Sequence, residues 1–318
     1  MLRSFQGFAI VLMLASVLLV ACGPTPTPEP DQVTLQLNWY HEAEFAGYYV
    51  AEAQGFYADE NIALTIREGG LDVDVVQALL GREVDISVFG SAEQRKAMEE
   101  GNQTVALMAA FQISPRVLFA LADSGIQKPQ DLVGRRVAIK SEGWRQTIHE
   151  TLANVGVDPA EIVEVEVKSD AIQMLYDGDV DVWTGYVHDE PVETQLAGYD
   201  VNLIFPGDYG VGAYEGLLCV SQETLEQNSD LVARFMRATL RGWQYAIEHP
   251  DEAAEVIAKW DPDHSLEFHQ LAMRALIPLV DTGEGAIGSI KADQWQRVFA
   301  DVYDPEHPGY TMQFVKGE

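Results

Sequence analysis

The chain has 318 residues and carries 50 acidic against 20 basic side chains, which gives a formal net charge of −30 at pH 7. So large a negative excess repels nucleic acid and anionic lipid head groups, and it excludes a surface that tracks phosphates. The acidic residues are dispersed along the sequence, so we assign no site from charge alone and expect most of them to be solvated.

The first 32 residues indicate export and attachment to a membrane. Arg3 precedes an apolar run, GFAIVLMLASVLLV, that is short for a bilayer span and typical of a secretory signal peptide over residues 1–21. The sequence Leu19-Val20-Ala21-Cys22 resembles a bacterial lipobox, in which Cys22 becomes the lipidated first residue; the alternative is an ordinary signal peptide with an incidental cysteine. Residues 22–32, rich in proline and threonine, predict an extended tether. We therefore expect a lipoprotein anchored to the extracytoplasmic face of the cell membrane.

The remaining chain, roughly 285 residues, is long enough for two domains of typical size. Cys219 is the second of two cysteines in the sequence, so no internal disulfide is expected once Cys22 is modified. We expect the Cys219 side chain to be buried as a small apolar group. Stability is then expected to come from an ordinary hydrophobic core.

From residue 33 onward, short apolar runs alternate with segments of helical periodicity. This alternation predicts α/β layers with largely parallel sheets, and after Ser221 the pattern becomes almost entirely helical. Strands are predicted at residues 33–37, 62–68, 84–89, 104–111, 116–121, 136–139, 163–167, 180–186, 201–206 and 216–220. Helices are predicted at residues 47–61, 74–83, 91–101, 144–156, 171–179, 223–260, 266–280 and 292–303.

Two segments share one pattern: a helix, a glycine turn, an acidic residue, a short strand, and a polar or aromatic loop. They are ALLGREVDISVFGSAE and MLYDGDVDVWTGYVHDE. Ligands of open α/β sheets bind beyond the carboxyl ends of strands, which makes Phe89-Gly90-Ser91 and Thr184-Gly185-Tyr186 candidate binding loops. A third loop, from Lys140 to Trp144, begins a helix whose free N–H groups face acceptor atoms.

Five segments resemble, in their order, the type II periplasmic substrate-binding proteins of ABC importers. More narrowly, they are similar to the branch related to thiamine-pyrimidine synthase and to sulfonate and nitrate binders. The segments are LNWYHEAEFAGYYVAEAQGFYADENI, LLGREVDISVFGSAE, DLVGRRVAIKSEGW, GDVDVWTGYVHDEP and GDYGVGAYEGLLCV.

The resemblance implies two α/β lobes joined by two crossings, with a ligand cleft between the lobes. It also implies a monomer that delivers its ligand to a permease driven by an ATPase. We therefore expect residues 33–134 and 212–318 in the first lobe and residues 135–211 in the second. The crossings are expected near residues 133–137 and 207–212.

The proposed cleft loops are poor in cations and rich in aromatic rings and carboxylates. An anion binder needs arginine or lysine at the strand ends, and only Lys140, Arg145 and Arg116 are near these loops. Aromatic faces stack on flat rings, and carboxylates accept hydrogen bonds from N–H groups. This composition favours an uncharged, flat nitrogen heterocycle over a sulfonate, taurine or nitrate.

Two heterocycles fit within the family resemblance, riboflavin and the pyrimidine precursors of thiamine. The turn HEAEFAG departs from the Asn-His-Thr-Gly-like turn of the pyrimidine binders, so riboflavin is favoured, as in the riboflavin-binding lipoproteins of the same family. The alternative is a precursor of the hydroxymethylpyrimidine or formylaminopyrimidine type. The predicted ligand-binding residues are Asn38, Trp39, Tyr40, Glu44, Phe89, Ser91, Trp144, Tyr186, Glu190, Asp208 and Tyr209.

Several of these residues have an ordinary structural alternative. Trp39 and Tyr40 are adjacent and point to opposite faces of an extended strand, so we expect only one of them to stack on the ligand. Trp144 is as well suited to capping its helix as to contacting a ligand. Glu190 has an alternative role as an acidic residue in the first turn of a helix. Trp183, inside VDVWTGY, is expected in the core.

No metal site, cofactor or catalytic motif is predicted. The histidines lack HExxH spacing, and the sequence has no GxSxG or Cys/His nucleophile arrangement. Eukaryotic relatives by resemblance make thiamine pyrimidine from their own histidine and pyridoxal phosphate, with a cysteine-rich motif, whereas Cys219 stands alone here beside the lipidated residue. We therefore predict a binding protein and not an enzyme; a sensor domain acting on a membrane kinase remains open.

Overall fold

The computed structural model describes residues 29–101, 103–168 and 171–315. The predicted signal peptide, Cys22 and most of the predicted tether lie outside these residues. Within the three described ranges, no helix has both the length and the apolar character needed to cross a membrane.

The described residues contain a strand at every position where the sequence predicts one. The strands are β1 (Asp31–Gln36), β2 (Ile62–Arg67), β3 (Ile86–Phe89), β4 (Thr104–Ala109), β5 (Arg116–Leu121), β6 (Arg136–Ile139), β7 (Val163–Glu166), β8 (Trp183–Tyr186), β9 (Val201–Ile204) and β10 (Leu217–Ser221). The helices are α1 (Ala46–Ala53), α2 (Phe56–Asp59), α3 (Val75–Leu80), α4 (Ser91–Glu99), α5 (Glu142–Asn154), α6 (Gln173–Tyr176), α7 (Glu190–Leu196), α8 (Gln222–Gln227), α9 (Ser229–Glu248), α10 (Pro250–Ile257), α11 (Leu266–Val280) and α12 (Ala292–Val298).

The first sheet has the strand order β2-β1-β3-β10-β4. Strand β1 runs parallel to β2 and β3, whereas β10 runs antiparallel to β3 and β4. Because β10 is reversed, the residues just before it lie at the same edge of the sheet as the carboxyl ends of β1 and β3. Distant parts of the sequence therefore meet at this edge.

The second sheet repeats this topology. Strand β5 lies between β8 and β9 and is antiparallel to both, while β6 pairs in parallel with β7. A parallel bridge joins Val137 to Val182, and the N–H of Ala138 donates to the Val182 carbonyl at 2.9 Å. These contacts place β6 beside the segment leading into β8, which gives the order β7-β6-β8-β5-β9. The predicted α/β architecture of two lobes is confirmed.

The pairing of β5 corrects one predicted boundary. Residues 33–134 were expected in the first lobe, with a crossing near 133–137, but β5 hydrogen-bonds to β8 and β9 of the second sheet. The chain therefore passes to the second lobe between β4 and β5. It returns between β9 and β10, the segment that contains residues 207–212.

The first lobe is held together by close packing of α1 on α9. A Cβ on Gly47 would overlap the Trp243 ring, and a Cβ on Gly242 would overlap the Gly47 carbonyl. Because residues 38–45 lead directly into α1, this packing also fixes the loop at the end of β1. Trp183 and Cys219 are fully buried, as predicted.

Candidate functional site

The two lobes meet where the strands of both sheets end, and we take this region, which we call the cleft, as the candidate ligand site. The first lobe contributes residues 38–44, which connect β1 to α1, together with Glu215 just before β10. The second lobe contributes residues 186–190 after β8, Lys140 after β6, and Trp144 in the first turn of α5. Three of the predicted residues, Trp144, Tyr186 and Glu190, therefore lie at one wall of the cleft.

The second lobe presents an aromatic pair to the cleft. The rings of Trp144 and Tyr186 meet edge to face, with centroids 6.0 Å apart. Ser141 begins α5 and its hydroxyl accepts a hydrogen bond from the Trp144 N–H at 3.3 Å, which holds Trp144 at the helix start. Arg116 lies directly opposite Tyr186 in the pairing of β5 with β8, and its guanidinium carbon is 5.1 Å from the Trp144 ring centroid.

Two cations at the cleft are each paired with a carboxylate. Lys140 forms an ion pair with Glu190, and the other Glu190 oxygen accepts a hydrogen bond from the Tyr186 N–H at 2.9 Å. Arg116 Nε lies 2.8 Å from Glu215 Oε1, which links the second lobe to the first. Neither cation is left without a partner of opposite charge.

Three further carboxyls, Glu42, Glu44 and Asp189, face the cleft without such a partner. Within the described residues, no lysine or arginine forms an ion pair with any of them. Burial, followed by the charges of Glu190 and Asp261, raises the pKa of Glu42 to about 8. Burial is also the largest cause of the raised pKa of Glu44, with the charge of Glu42 next, and of the raised pKa of Asp189. Among the described residues these three carboxyls therefore have no lysine or arginine partner, and they can accept hydrogen bonds from a ligand.

His188 brings the second lobe against this group of carboxyls. Its Nε2 lies 3.4 Å from Glu42 Oε2, and the side chain is nearly fully buried. Burial lowers the pKa of His188 to about 4, so the ring is neutral at pH 7. Buried polar atoms that lack a hydrogen-bond partner also occur at Thr184 Oγ1, in β8, and at Asn38 Oδ1, after β1.

The segment from Asn38 to Tyr40 is held by the loop after β2. The N–H of Gly69 donates to the Trp39 carbonyl at 2.9 Å, and a Cβ on Gly69 would overlap the backbone of residues 37–39. Trp39 hydrogen-bonds to the Glu42 carboxyl, whereas Tyr40 is 47% exposed at the rim. The two rings thus have different surroundings, in keeping with the expectation that only one stacks on a ligand.

Two predicted residues of the first lobe do not face the cleft. Phe89 is fully buried in a core cluster with Leu217 and Cys219, because every residue of β3 is covered on both sides of the sheet. The Ser91 hydroxyl donates to the Tyr214 carbonyl at 2.8 Å and accepts a hydrogen bond from the Tyr214 N–H. Its hydrogen-bonding capacity is used inside the lobe, so the prediction of ligand contact is wrong for Phe89 and unsupported for Ser91.

Asp208 and Tyr209 follow β9. The Tyr209 carbonyl accepts a hydrogen bond from Asn154 Nδ2 at 2.9 Å, and Asn154 is the last residue of α5. Trp144 is near the other end of this helix, about 15 Å away at 1.5 Å per residue. This hydrogen bond does not join the pair to the other cleft residues, and the ligand contact of Asp208 and Tyr209 stays a prediction.

Six charged or titratable residues at the cleft were not among the predicted ligand-binding residues. Glu215 had a usable signal, since it precedes an antiparallel strand whose start must lie at the carboxyl edge of the sheet. The others had no signal beyond their closeness to predicted loops. Within the described ranges, no group of three or more His, Cys, Asp and Glu residues is placed to hold a metal ion. The six residues are Glu42, Arg116, Lys140, His188, Asp189 and Glu215.

Residues 42–253 match the protein-family model described as NMT1/THI5 like. The matched region includes both walls of the cleft.

Three relatives align over most of this chain. The 4-amino-5-hydroxymethyl-2-methylpyrimidine phosphate synthase of Legionella pneumophila is 29% identical over 78% of this chain and 79% of its own. The formylaminopyrimidine-binding protein of Halalkalibacterium halodurans is 24% identical over 94% of each chain. The riboflavin-binding protein RibY of Chloroflexus aurantiacus is 28% identical over 77% of this chain and 73% of its own.

Among solved structures, the periplasmic aliphatic sulphonate binding protein SsuA of Escherichia coli superposes with a TM-score of 0.70. The superposition covers 92% of this chain and 95% of that one, at 16% sequence identity. At this identity the likeness shows the fold, which is the periplasmic binding protein fold.

Proposed function

This chain belongs to the NMT1/THI5-like family, and from that premise we propose that it is the solute-binding component of an ABC importer, with riboflavin as its solute. The protein captures the vitamin outside the membrane, to which a lipid on Cys22 attaches it, and delivers it as a monomer to a permease energised by an ATPase. Closure of two lobes on a ligand needs no chemical step, so no catalysis is proposed.

One observation carries the proposal: three carboxyls, Glu42, Glu44 and Asp189, come from both lobes near the Trp144–Tyr186 pair, and no lysine or arginine of the described residues forms an ion pair with them. Carboxylates accept hydrogen bonds, and such bonds to an ionised group stabilise a complex by about 1.5–3 kcal/mol each. Riboflavin has a ring N–H and a chain of hydroxyl donors spread over its length. The donors of riboflavin are therefore spread widely enough to reach carboxyl acceptors on both lobes.

The aromatic pair supports the flat part of this ligand. An isoalloxazine ring offers a large face for stacking, and aromatic contacts contribute about 0.5–1.5 kcal/mol beyond the area that they bury. Similarity to a protein named as a riboflavin-binding protein, at 28% identity, supports the same assignment.

The alternative solute is a pyrimidine precursor of thiamine. An aminopyrimidine donates from its amino group and pairs with a carboxyl through two parallel hydrogen bonds, which Glu42 or Glu44 would accommodate. Similarity to a formylaminopyrimidine-binding protein, at 24% identity over 94% of the chain, supports this alternative. So small a ligand would contact fewer of the three carboxyls.

The test is a titration of riboflavin into the purified protein, followed by flavin fluorescence. We expect quenching that saturates at micromolar concentration, and about tenfold or more weaker binding of lumiflavin, which lacks the hydroxyl chain. The variant Glu44→Gln is expected to lose a similar factor, whereas Glu223→Gln, which changes an exposed side chain paired with Arg82, is not. Absence of quenching would remove riboflavin, and binding of 4-amino-5-hydroxymethyl-2-methylpyrimidine in its place would establish the alternative.

A further inference from the structure

We propose that two carboxylates, Glu190 and Glu215, make the cleft reject anionic solutes. Each neutralises a cation that would otherwise face a bound anion, Lys140 in the first case and Arg116 in the second. The inference rests on the proposed function in that it takes the cleft between the lobes as the ligand site.

Both ion pairs are largely shielded from water. The side chains of Lys140 and Glu190 are 8% and 12% exposed, and those of Arg116 and Glu215 are 25% and 7% exposed. Charges interact more strongly in such surroundings than in water. A cation deprived of its carboxylate there would therefore attract an anion that enters the cleft.

Aromatic rings hold both cations in place independently of the carboxylates. Lys140 Nζ lies 5.7 Å from the Trp144 ring centroid and 5.9 Å from that of Trp183. Arg116 contacts the Trp144 ring at 5.1 Å and the Tyr186 ring at 6.0 Å. Because cations are attracted to ring faces, removing a carboxylate would expose the positive charge at the cleft wall without moving it away.

Each carboxylate lies against a glycine near the carboxyl end of the central strand of its sheet. A Cβ on Gly185, in β8, would overlap the Glu190 carboxylate, and a Cβ on Gly90, after β3, would lie 2.7 Å from Glu215 Oε2. Neither glycine has a positive φ, so space for the carboxylate and not backbone conformation requires glycine here. In each lobe a glycine thus leaves room for one of the two carboxylates.

The test compares Glu190→Gln and Glu215→Gln with wild type, using riboflavin and riboflavin 5′-phosphate, which differ by one anionic group. Wild type is expected to prefer riboflavin strongly, and each variant is expected to reduce that preference about tenfold, since one unit of negative charge is lost near the phosphate. Glu223→Gln removes a carboxylate from an exposed ion pair with Arg82 on the first lobe and is expected to keep the wild-type preference.

A second measurement does not depend on flavin binding. Benzenesulfonate, a flat anion, is titrated calorimetrically, and we expect no binding to wild type and measurable binding to each Gln variant. If wild type binds no flavin, the proposed riboflavin solute is wrong and this measurement alone decides the inference. A gain of anion affinity in either variant supports it, and unchanged anion affinity in both overturns it.

Glutamine fills nearly the same space as glutamate, and thermal unfolding shows whether each variant is folded. Should Glu190→Gln not fold, Gly185→Ala displaces the Glu190 carboxylate from Lys140 without changing the net charge. It is expected to produce the same gain of anion affinity.

Discussion

Glu42 of the first lobe and His188 of the second face each other across the cleft, with Glu42 Oε2 and His188 Nε2 3.4 Å apart. The pKa of the carboxyl is raised to about 8 and that of the imidazole is lowered to about 4, in both cases chiefly by burial. Between these values both side chains are uncharged. The lobes therefore meet at pH 7 through two neutral groups that have lost their hydration.

Replacing Glu42 by Gln is expected to stabilise the protein at alkaline pH. A carboxyl whose pKa is raised by folding favours the folded state fully below its ordinary pKa of 4.5, and this contribution is lost as pH rises through about 8. One pKa unit corresponds to about 1.4 kcal/mol, so Glu42→Gln should raise the free energy of unfolding by at least about 1 kcal/mol at pH 8. The gain should disappear at pH 4.5. Urea unfolding at both pH values measures it.

The control for this measurement is Glu142→Gln, which changes an exposed side chain and should stay within about 0.5 kcal/mol of wild type at both pH values. A Glu42→Gln variant that is no more stable than wild type at pH 8 would show that the carboxyl is not buried in the folded protein.

Ligand binding is expected to release protons near pH 7. Burial raises the pKa values of Glu42, Glu44 and Asp189, and donors on a ligand favour the ionised carboxylates. Calorimetric titration in two buffers that differ in ionisation enthalpy measures the number of protons released. Net proton uptake, or heats that do not depend on the buffer, would contradict a ligand that donates to these groups.

The aromatic pair is expected to contribute directly to affinity. Trp144→Ala or Tyr186→Ala removes one of two rings that meet edge to face, and the lost stacking and buried area should weaken binding about tenfold or more. Tyr199→Ala is the matched control, because Tyr199 stacks on Tyr176 at the surface of the same lobe. Equal losses in all three variants, in fluorescence titrations, would assign the effect to the lobe's stability and not to ligand contact.

The glycine in AEFAGYYVA is a packing residue according to the structure. A Cβ on Gly47 would overlap the Trp243 ring of α9, so Gly47→Ala should destabilise the protein by about 1–3 kcal/mol through overpacking. Gly143→Ala provides the control: nothing crowds its Cβ position, Ser141 Oγ being nearest at 3.9 Å, and alanine in a helix should be neutral or stabilising by about 0.5–1 kcal/mol. Thermal unfolding of both variants tests this; a Gly47→Ala protein as stable as wild type would contradict the close packing.

The sequence predicts the strands and most helices because short apolar runs and helical periodicity are local signals. The sequence assigns β5 to the wrong lobe because the apolar pattern of RVLFAL is the same in either sheet. The lobe is decided by hydrogen bonds of β5 to β8 and β9, which are far along the chain. The return of β10 between β3 and β4 depends on non-local pairing in the same way.

A strand end in the sequence indicates which residues come near the cleft, but it does not indicate whether a given side chain faces the cleft or the core. Tyr186 and Glu190 follow from the end of β8, but Phe89, the last residue of β3, faces the core. The sequence predicts ligand contact for Glu44 but not for Glu42, because nothing local indicates that His188 of the other lobe approaches Glu42. Ion pairs such as that of Arg116 with Glu215 arise only when the lobes come together.

His264 makes a second contact between the lobes, close enough to Glu42 and Asp189 for their charges to interact. Its Nδ1 lies 2.8 Å from Asp261 Oδ2 in the first lobe, and its Nε2 lies 3.7 Å from Glu193 Oε1 on α7 of the second. The pKa of His264 is raised to about 9, chiefly by Glu193 and also by Asp261, against the opposing effect of burial. At pH 7 the imidazolium therefore connects the lobes and should favour the closed form.

Glu193→Gln is accordingly expected to weaken ligand binding at pH 7 by about two- to fivefold, a modest factor because both side chains are partly exposed to solvent. A histidine whose pKa is raised contributes fully below its ordinary value of 6.5, and the contribution is lost as pH rises through about 9. The wild-type and variant affinities should therefore converge at pH 10. His307→Gln, which breaks a pair with Asp304 inside the first lobe, should leave affinity unchanged at every pH. A deficit of Glu193→Gln that persists at pH 10 would mean that the carboxylate acts on something other than the charged imidazole.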